Sequence, residues 1–236
     1  LDFQRILKEL GVDLPKDARI LDFGCGAGNT VRKLLDSGYI NAVGYDVTDG
    51  PSLLGHHRAD FITTGSLFDL RLPYPNDSFD LILSEEVFEH VMDQVRVFSE
   101  LHRITRVGGH GVHSIPARYA PIEPHIYVPF GGLFTHRWWY KLWAVLGIRN
   151  PYQKELSAEE VAERNAYYAI EALRYVPNSC YRVVWKKIGF SPRFAEQEFL
   201  RSHPNRIARL LGRLPGIAWL YRNFRTRIVY LQKRES

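Results

Sequence analysis

Apolar residues at positions 3, 6, 7 and 10 of the segment DFQRILKEL repeat with the spacing of one helix face. After the turn-forming GVDLPKD, the run ARILDF is apolar nearly throughout and enters a glycine cluster, the pattern of a buried strand feeding a tight loop. Residues 29–37 return to helical spacing and stop at Gly38. NAVGYD, ADFITT and FDLILS then predict three further strands. VMDQVRVFSELHRI predicts a helix, RVGG a turn and HGVHSIP a fifth strand. Strands apolar on both faces and alternating with helices indicate a parallel sheet covered on both sides.

The rhythm changes near residue 117. Residues 117–178 show no strand pattern but are dense in aromatics, among them Tyr119, Tyr127, Phe130, Trp138, Trp139, Trp143, Tyr167 and Tyr175. Such a segment is either a small helical core of its own or a cap over the strand ends. The α/β pattern resumes with CYRVVWKKIGF as a helix ending at Gly189 and PRFAEQEFL as a strand. A basic helical stretch over 204–224, broken at Pro215-Gly216, leads to RIVYLQKR as the final strand. Three segments follow: a ligand-binding core over 1–116, an inserted cap over 117–178, and the remaining core with a basic helical segment over 179–236.

The chain has 236 residues, enough for one full domain with an insertion, and its 24% charged residues exclude wholesale disorder. Two cysteines, Cys25 and Cys180, exclude a disulfide scaffold or a four-cysteine zinc site and fit a reducing compartment. No apolar run reaches about 18 residues, and the first residues lack the pattern of a signal peptide. A cytoplasmic location is the expectation. Residues 201–236 carry nine Lys/Arg against Glu235, a local +8 that leaves −3 for the first 200 residues of a chain totalling +5. That basic segment suits an anionic partner or is simply a solvated helix face.

The most informative stretch is Ile20-Leu21-Asp22-Phe23-Gly24-Cys25-Gly26-Ala27-Gly28. Three glycines between a strand and a helix let backbone approach a ligand at the strand's carboxyl end. A phosphate-cradling loop would close on Gly-Lys-Ser/Thr, whereas Gly28 is followed by Asn29-Thr30. A dinucleotide loop wants G-x-G-x-x-G and would be repelled by Asp22 through its pyrophosphate. A cationic, phosphate-free ligand such as S-adenosylmethionine, with its sulfonium and ammonium, reverses that electrostatic argument. Asp46, 18 residues after Gly28 at the end of the second strand, is placed to accept ribose hydroxyls.

The segment ILDFGCGAGNT resembles the first motif of the class I S-adenosylmethionine-dependent methyltransferases. LPYPNDSFDLILSEEVFEHV and ELHRITRVGGHGVHSIP are similar to the fourth and fifth strand regions of their small-molecule branch. The resemblance covers residues 19–116 and extends to the terminal strands. It implies a Rossmann-like, doubly wound, seven-stranded and mostly parallel α/β sheet whose last strand is antiparallel. It also implies that S-adenosylmethionine is the cofactor, leaving S-adenosylhomocysteine as product. By that likeness Asp22, Gly24, Cys25, Gly26 and Gly28 surround the methionine part, Asp46 and Val47 the ribose and adenine, and Glu85 the methionine amine. The adenine-side position after the third strand, often Asp, is Ser66 here, followed by Leu67, with Asp69 an alternative.

Methyl transfer to a hydroxyl needs a base, and an imidazole titrating near ~6.5 suits the task. His90, in Glu86-Val87-Phe88-Glu89-His90, lies on the loop that borders the transferring methyl in similar enzymes. His125, in Ile122-Glu123-Pro124-His125-Ile126-Tyr127, is framed by prolines and aromatics just beyond the fifth strand. Each is a candidate base, and each is also open to a purely structural role. His113, inside the fifth strand, is expected to be a core residue. Ser84-Glu85-Glu86-Val87 lacks the Asn/Asp-Pro-Pro-aromatic signature of base N-methylation, so a nucleic-acid acceptor is disfavoured. No metal ligands are assigned by the pattern.

The expectation is O-methylation of a small molecule, saccharide or glycolipid precursor, since aromatics stack on sugar faces and Arg pairs with phosphate. The alternatives are C- or N-methylation of a small natural product, or a non-catalytic binding subunit of the same fold. Apolar residues such as Ile207, Leu210, Leu214 and Trp219, interleaved with Arg206, Arg209 and Arg213, suggest contact with an anionic carrier or the inner face of a membrane. Ordinary packing against the sheet is the other reading of that stretch.

Overall fold

The computed structural model describes residues 2–47, 62–65 and 71–235. Its centre is a seven-stranded sheet formed by β1 (Arg19–Phe23), β2 (Asn41–Asp46), β3 (Ile62–Thr64), β4 (Phe79–Glu85), β5 (Thr105–Pro116), β6 (Phe190–Phe194) and β7 (Thr226–Lys233). The spatial order is β3-β2-β1-β4-β5-β7-β6, with β7 antiparallel to both neighbours and the other pairings parallel. The order reverses between β1 and β4, so their carboxyl ends flank a crevice where open α/β sheets receive ligands.

Alternation along each strand sorts side chains onto two faces. Leu21, Phe23, Ile82, Ile115, Val229 and Leu231 join one buried cluster. Ile20, Leu81, Leu83 and Val112 join the other. The first is covered by α3 (Gln94–Ile104) and α6 (Asn178–Ile188) through Phe98, Leu101, Tyr181 and Trp185. The second is covered by α1 (Phe3–Glu9) and α2 (Asn29–Asp36) through Phe3, Ile6, Val31 and Leu34. The caps agree with the sequence: Asp2 accepts from the Arg5 amide at 3.2 Å, and Gly189, at φ +112°, ends α6.

Residues 117–178 hold α4 (Arg137–Val145) and α5 (Ala158–Glu171), with a short 3-10 turn at Pro151–Gln153 between them. Ser157 and Glu160 form a reciprocal capping box at the start of α5. Ile126, Val128, Tyr140, Ala162 and Ala169 make a small buried cluster, against which Trp139 and Trp143 pack.

Two local expectations are corrected. PRFAEQEFL is not one strand: β6 stops at Phe194, and Glu196–Ser202 is a helix, α7. The reason is tertiary. Glu196 is fully buried and accepts from Arg222 at 2.7 and 3.0 Å and from the Ile228 amide at 3.1 Å, which turns the chain inward. RVGG is no separate turn either. β5 begins directly at Thr105, and its register against β4 slips between Phe79 and Leu81, with Gly108 at φ +77° inside the irregular stretch. The basic segment forms α8 (Arg206–Leu211) and α9 (Ile217–Phe224), separated at Pro215-Gly216, and neither helix carries a buried residue.

Phe98 links the fold to the crevice. It is fully buried, stacks on Phe88 with ring centres 4.1 Å apart, and meets Trp185 edge-on at 5.5 Å. Phe88 opens the turn that carries His90. Replacing Phe98 by Ala is expected to cost about 3–5 kcal/mol, the range for deleting a buried aromatic ring. Urea unfolding measures this, and a loss under about 1 kcal/mol would show that the ring stack does not hold the core.

Candidate active site

The loop after β1 is held by backbone, as its glycines require. The amides of Gly24 and Cys25 both donate to the Tyr45 carbonyl, at 2.8 and 3.2 Å, and the Gly28 amide donates to the Cys25 carbonyl at 2.8 Å. Gly24 sits at φ +76°, and a Cβ there would lie 2.3 Å from a Val87 methyl carbon. Gly24 is therefore fixed by conformation and by packing together. That contact also brings the segment after β4 directly onto the glycine loop.

Asp22, Asp46 and Glu85 lie near the carboxyl ends of β1, β2 and β4, which are neighbours in the sheet. Asp46 Oδ2 accepts from the Gly26 amide at 2.7 Å, so the residue expected at the ribose also ties the loop to β2. Asp22 is 4% exposed. Burial first, and then the charges of Glu85 and Asp46, raise its pKa to about 7. Such a group gains most from a cation. Three carboxylates beside closely approaching backbone fit a positively charged, phosphate-free ligand and oppose a pyrophosphate. Val47 follows directly, half-buried against the core. Cys25 is half-buried inside the loop. Ser66 and Leu67, expected at the adenine, and Asp69 lie outside the described residues.

A second group assembles beyond the β4 end. Phe88–His90 form one 3-10 turn, with the His90 amide donating to the Val87 carbonyl at 3.0 Å. His90 Nδ1 lies 2.9 Å from the Ala172 carbonyl oxygen at the end of α5, which sets Nδ1 as the protonated nitrogen. His125 Nδ1 lies 2.7 Å from Glu123 Oε1. The imidazoles come within 5.0 Å of each other, ring centre to ring centre, at 80°. Tyr168 stands 5.7 Å from the His125 ring and 6.4 Å from the His90 ring. The sequence offers the histidines as separate alternatives, and the fold makes them one pair.

Glu123 holds the pair's outer side. It is buried and accepts from the amides of His125 and Ile126, at 2.8 and 2.9 Å, and from the Tyr175 hydroxyl at 2.9 Å. Burial alone would raise its pKa, but the hydrogen bonds and charge of His125, with those from Ile126 and Tyr175, hold it below the ordinary carboxylate range. Burial would likewise lower His125, and the bond and charge of Glu123 outweigh it, leaving that imidazole raised. His90 is lowered by burial, against the opposing pull of the Ala172 carbonyl. Glu89, fully buried, is raised to about 7 by burial.

Glu89, Glu123, Tyr168 and Tyr175 carried no assigned role in the sequence. Their signal was weak but present: acids one residue before His90 and two before His125. His113 is the core residue expected of it. It is 2% exposed, bonded to Ser84 Oγ at 2.8 Å, and pushed by burial to about 3.

Residues 21–112 match the family described as "Methyltransferase domain". A probable S-adenosylmethionine-dependent methyltransferase of Mycolicibacterium smegmatis is 32% identical over 103 residues, or 42% of this chain and 38% of that protein. The 27-O-demethylrifamycin SV methyltransferase of Amycolatopsis mediterranei is 27% identical over 113 residues, or 44% of this chain and 42% of that protein. Relatives in the same range include N- and C-methyltransferases by name. The chain thus spans about two fifths of the length of the first of these relatives. The crystal structure of an S-adenosylmethionine dependent methyltransferase from Mesorhizobium loti shares the fold, with a TM-score of 0.56 at 20% identity over 93% of this chain and 94% of that one. The family match lies over the glycine loop and the strands that carry the acidic cluster, so residues 21–112 are similar to a methyltransferase domain, and the chain shares the fold of S-adenosylmethionine-dependent methyltransferases.

Proposed function

We propose that this chain transfers the methyl group of S-adenosylmethionine to a hydroxyl of a small molecule, a saccharide or a glycolipid precursor. The observation that carries the reading is the pairing of an acidic, glycine-lined strand end with an imidazole pair on the adjoining segment. When bound, S-adenosylmethionine supplies a methyl carbon made electrophilic by its sulfonium. Asp22, Asp46 and Glu85 complement the positive charge, Asp46 orients the ribose, and the glycine loop admits the methionine part close to the backbone. In the transfer an oxygen–carbon bond forms, the sulfur–carbon bond breaks, and the acceptor's proton must leave.

Preparing the hydroxyl falls to His90 and His125. Each has Nδ1 engaged, by the Ala172 carbonyl and by Glu123 respectively, so each offers the Nε2 lone pair to an acceptor. Tyr168, beside both imidazoles, provides an aromatic ring of the kind that packs on sugar or phenol rings. For the basic segment we assign an anionic membrane surface as the resting place. Ile207, Leu210, Leu214 and Trp219 are exposed, and Arg206, Arg209 and Arg213 are interleaved with them. Among the described residues no helix is long and apolar enough to cross a membrane.

Asp46→Ala is expected to weaken S-adenosylhomocysteine binding by about 1.5–3 kcal/mol, the scale of a charge-assisted hydrogen bond. Calorimetry measures this, and unchanged affinity would contradict the ribose assignment.

The acid cluster also sets a pH dependence. With Asp22 raised to about 7, beside Glu85 and Asp46, the charged form that attracts a cation fills as pH rises. S-adenosylmethionine affinity is therefore expected to increase several-fold, up to about tenfold, between pH 6 and 7.5, and the rise should flatten in Asp22→Asn. Identical pH profiles for the two proteins would remove Asp22 from the cofactor site.

His90→Ala and His125→Ala should keep cofactor affinity while turnover falls about 10²–10⁴-fold for the residue that prepares the hydroxyl. The direct screen offers labelled S-adenosylmethionine with sugars, glycolipid precursors and phenols, read by mass spectrometry. Methylation only at carbon or nitrogen would replace the O-methyl assignment. Absence of cofactor binding would favour a non-catalytic subunit.

A further inference from the structure

Glu89, His90 and His125 each bring one donor atom to within 4.8 Å of the others. We infer that these three side chains form a binding site for a divalent first-row transition ion, in the two-imidazole, one-carboxylate combination such ions accept.

Three observations carry the inference. First, the donors come from separate parts of the chain: Glu89 and His90 from the turn after β4, and His125 from the loop after β5. Second, both imidazoles are supported as metal-bound imidazoles are, with the far nitrogen fixed by a carbonyl or a carboxylate. His90 Nδ1 is bound to Ala172 O at 2.9 Å and His125 Nδ1 to Glu123 at 2.7 Å, which sets each ring's orientation. Third, Glu89 is 0% exposed, and neither of its carboxylate oxygens accepts a hydrogen bond from another residue. A buried carboxylate without a partner is costly. Arg227 also lies in its electrostatic field but gives its hydrogen bonds to Val176, Asn178 and Pro116.

The nearest Glu89 oxygen lies 3.9 Å from His90 Nε2, too long for a hydrogen bond between them. Ligands around one ion sit about 2.0–2.2 Å from it, so small side-chain rotations close the triad. His90 and His125 are 39% and 23% exposed at their side chains, so both imidazoles are open to solvent. The chemical consequence rests on the methyl-transfer reading. A cation there would lower the pKa of an acceptor hydroxyl and take over its preparation from the free imidazoles.

The test is calorimetric titration of the untagged, chelator-stripped full chain with manganese chloride and with zinc chloride, alongside electron paramagnetic resonance of the manganese. One ion per chain at micromolar affinity or tighter is expected. Glu89→Gln and His125→Ala should each weaken binding at least tenfold while circular dichroism is unchanged. His125→Ala, at a partly exposed position, keeps the test decisive if Glu89→Gln disturbs folding. No stoichiometric ion, or equal affinity in the wild type and His125→Ala, would overturn the site. S-adenosylhomocysteine titration of the same samples separates the two ideas. Cofactor binding without metal binding sinks only the ion site, and metal binding without cofactor binding sinks only the methyl-transfer reading.

Discussion

Three neighbouring parallel strands that carry acids near their carboxyl ends create an electrostatic demand around which the crevice is arranged. Asp46 and Glu85 close β2 and β4, and Asp22 lies one residue before the end of the β1 strand between them, opposite Gly44 and Leu83. Desolvation of Asp22 makes the demand sharper, because charge withdrawn from water is compensated only by charge of the opposite sign. A phosphate-bearing nucleotide would worsen this field and a sulfonium relieves it. The glycine loop answers the same constraint from the backbone side, where its amides bind the β2 end and leave no side chain in the way.

The second half of the crevice depends on packing more than on charge. Val87 occupies the space a side chain at position 24 would need, so the loop after β4 cannot move from the glycine loop without opening a gap. One residue on, Phe88 is stacked into the core against Phe98, and His90 follows within the same turn. The glycine loop and the imidazole pair are thereby fixed to each other through contiguous residues. The region over 117–178 adds His125 through its bond to Glu123, and Tyr175 ties that carboxylate to the chain just after α5.

Much of the central sheet was legible because parallel strands buried on both faces write short apolar runs, and the turn residues that bound them separate them from helix segments. The tail of the chain was harder. PRFAEQEFL alternates well enough to pass for a strand, and only the meeting of Glu196 with Arg222 and the Ile228 amide converts its second half to helix. Arg227 is similar. A lone arginine in an apolar strand gives no hint that it will be buried between the Pro116 and Val176 carbonyls, over the Tyr181 ring.

The glycine loop, the acids at positions 22, 46 and 85, and the helix and strand periodicities can be read directly from the order of residues, because each is a local pattern with a local physical cause. That order also placed His113 in the core, since a strand interior leaves an imidazole nowhere else to go. That His90 and His125, 35 positions apart, come within 4.8 Å of each other and of Glu89 is a product of packing. Local spacing constrains which way a side chain leaves its own element. Which distant side chains it then meets, and whether water reaches them, depends on how the elements pack.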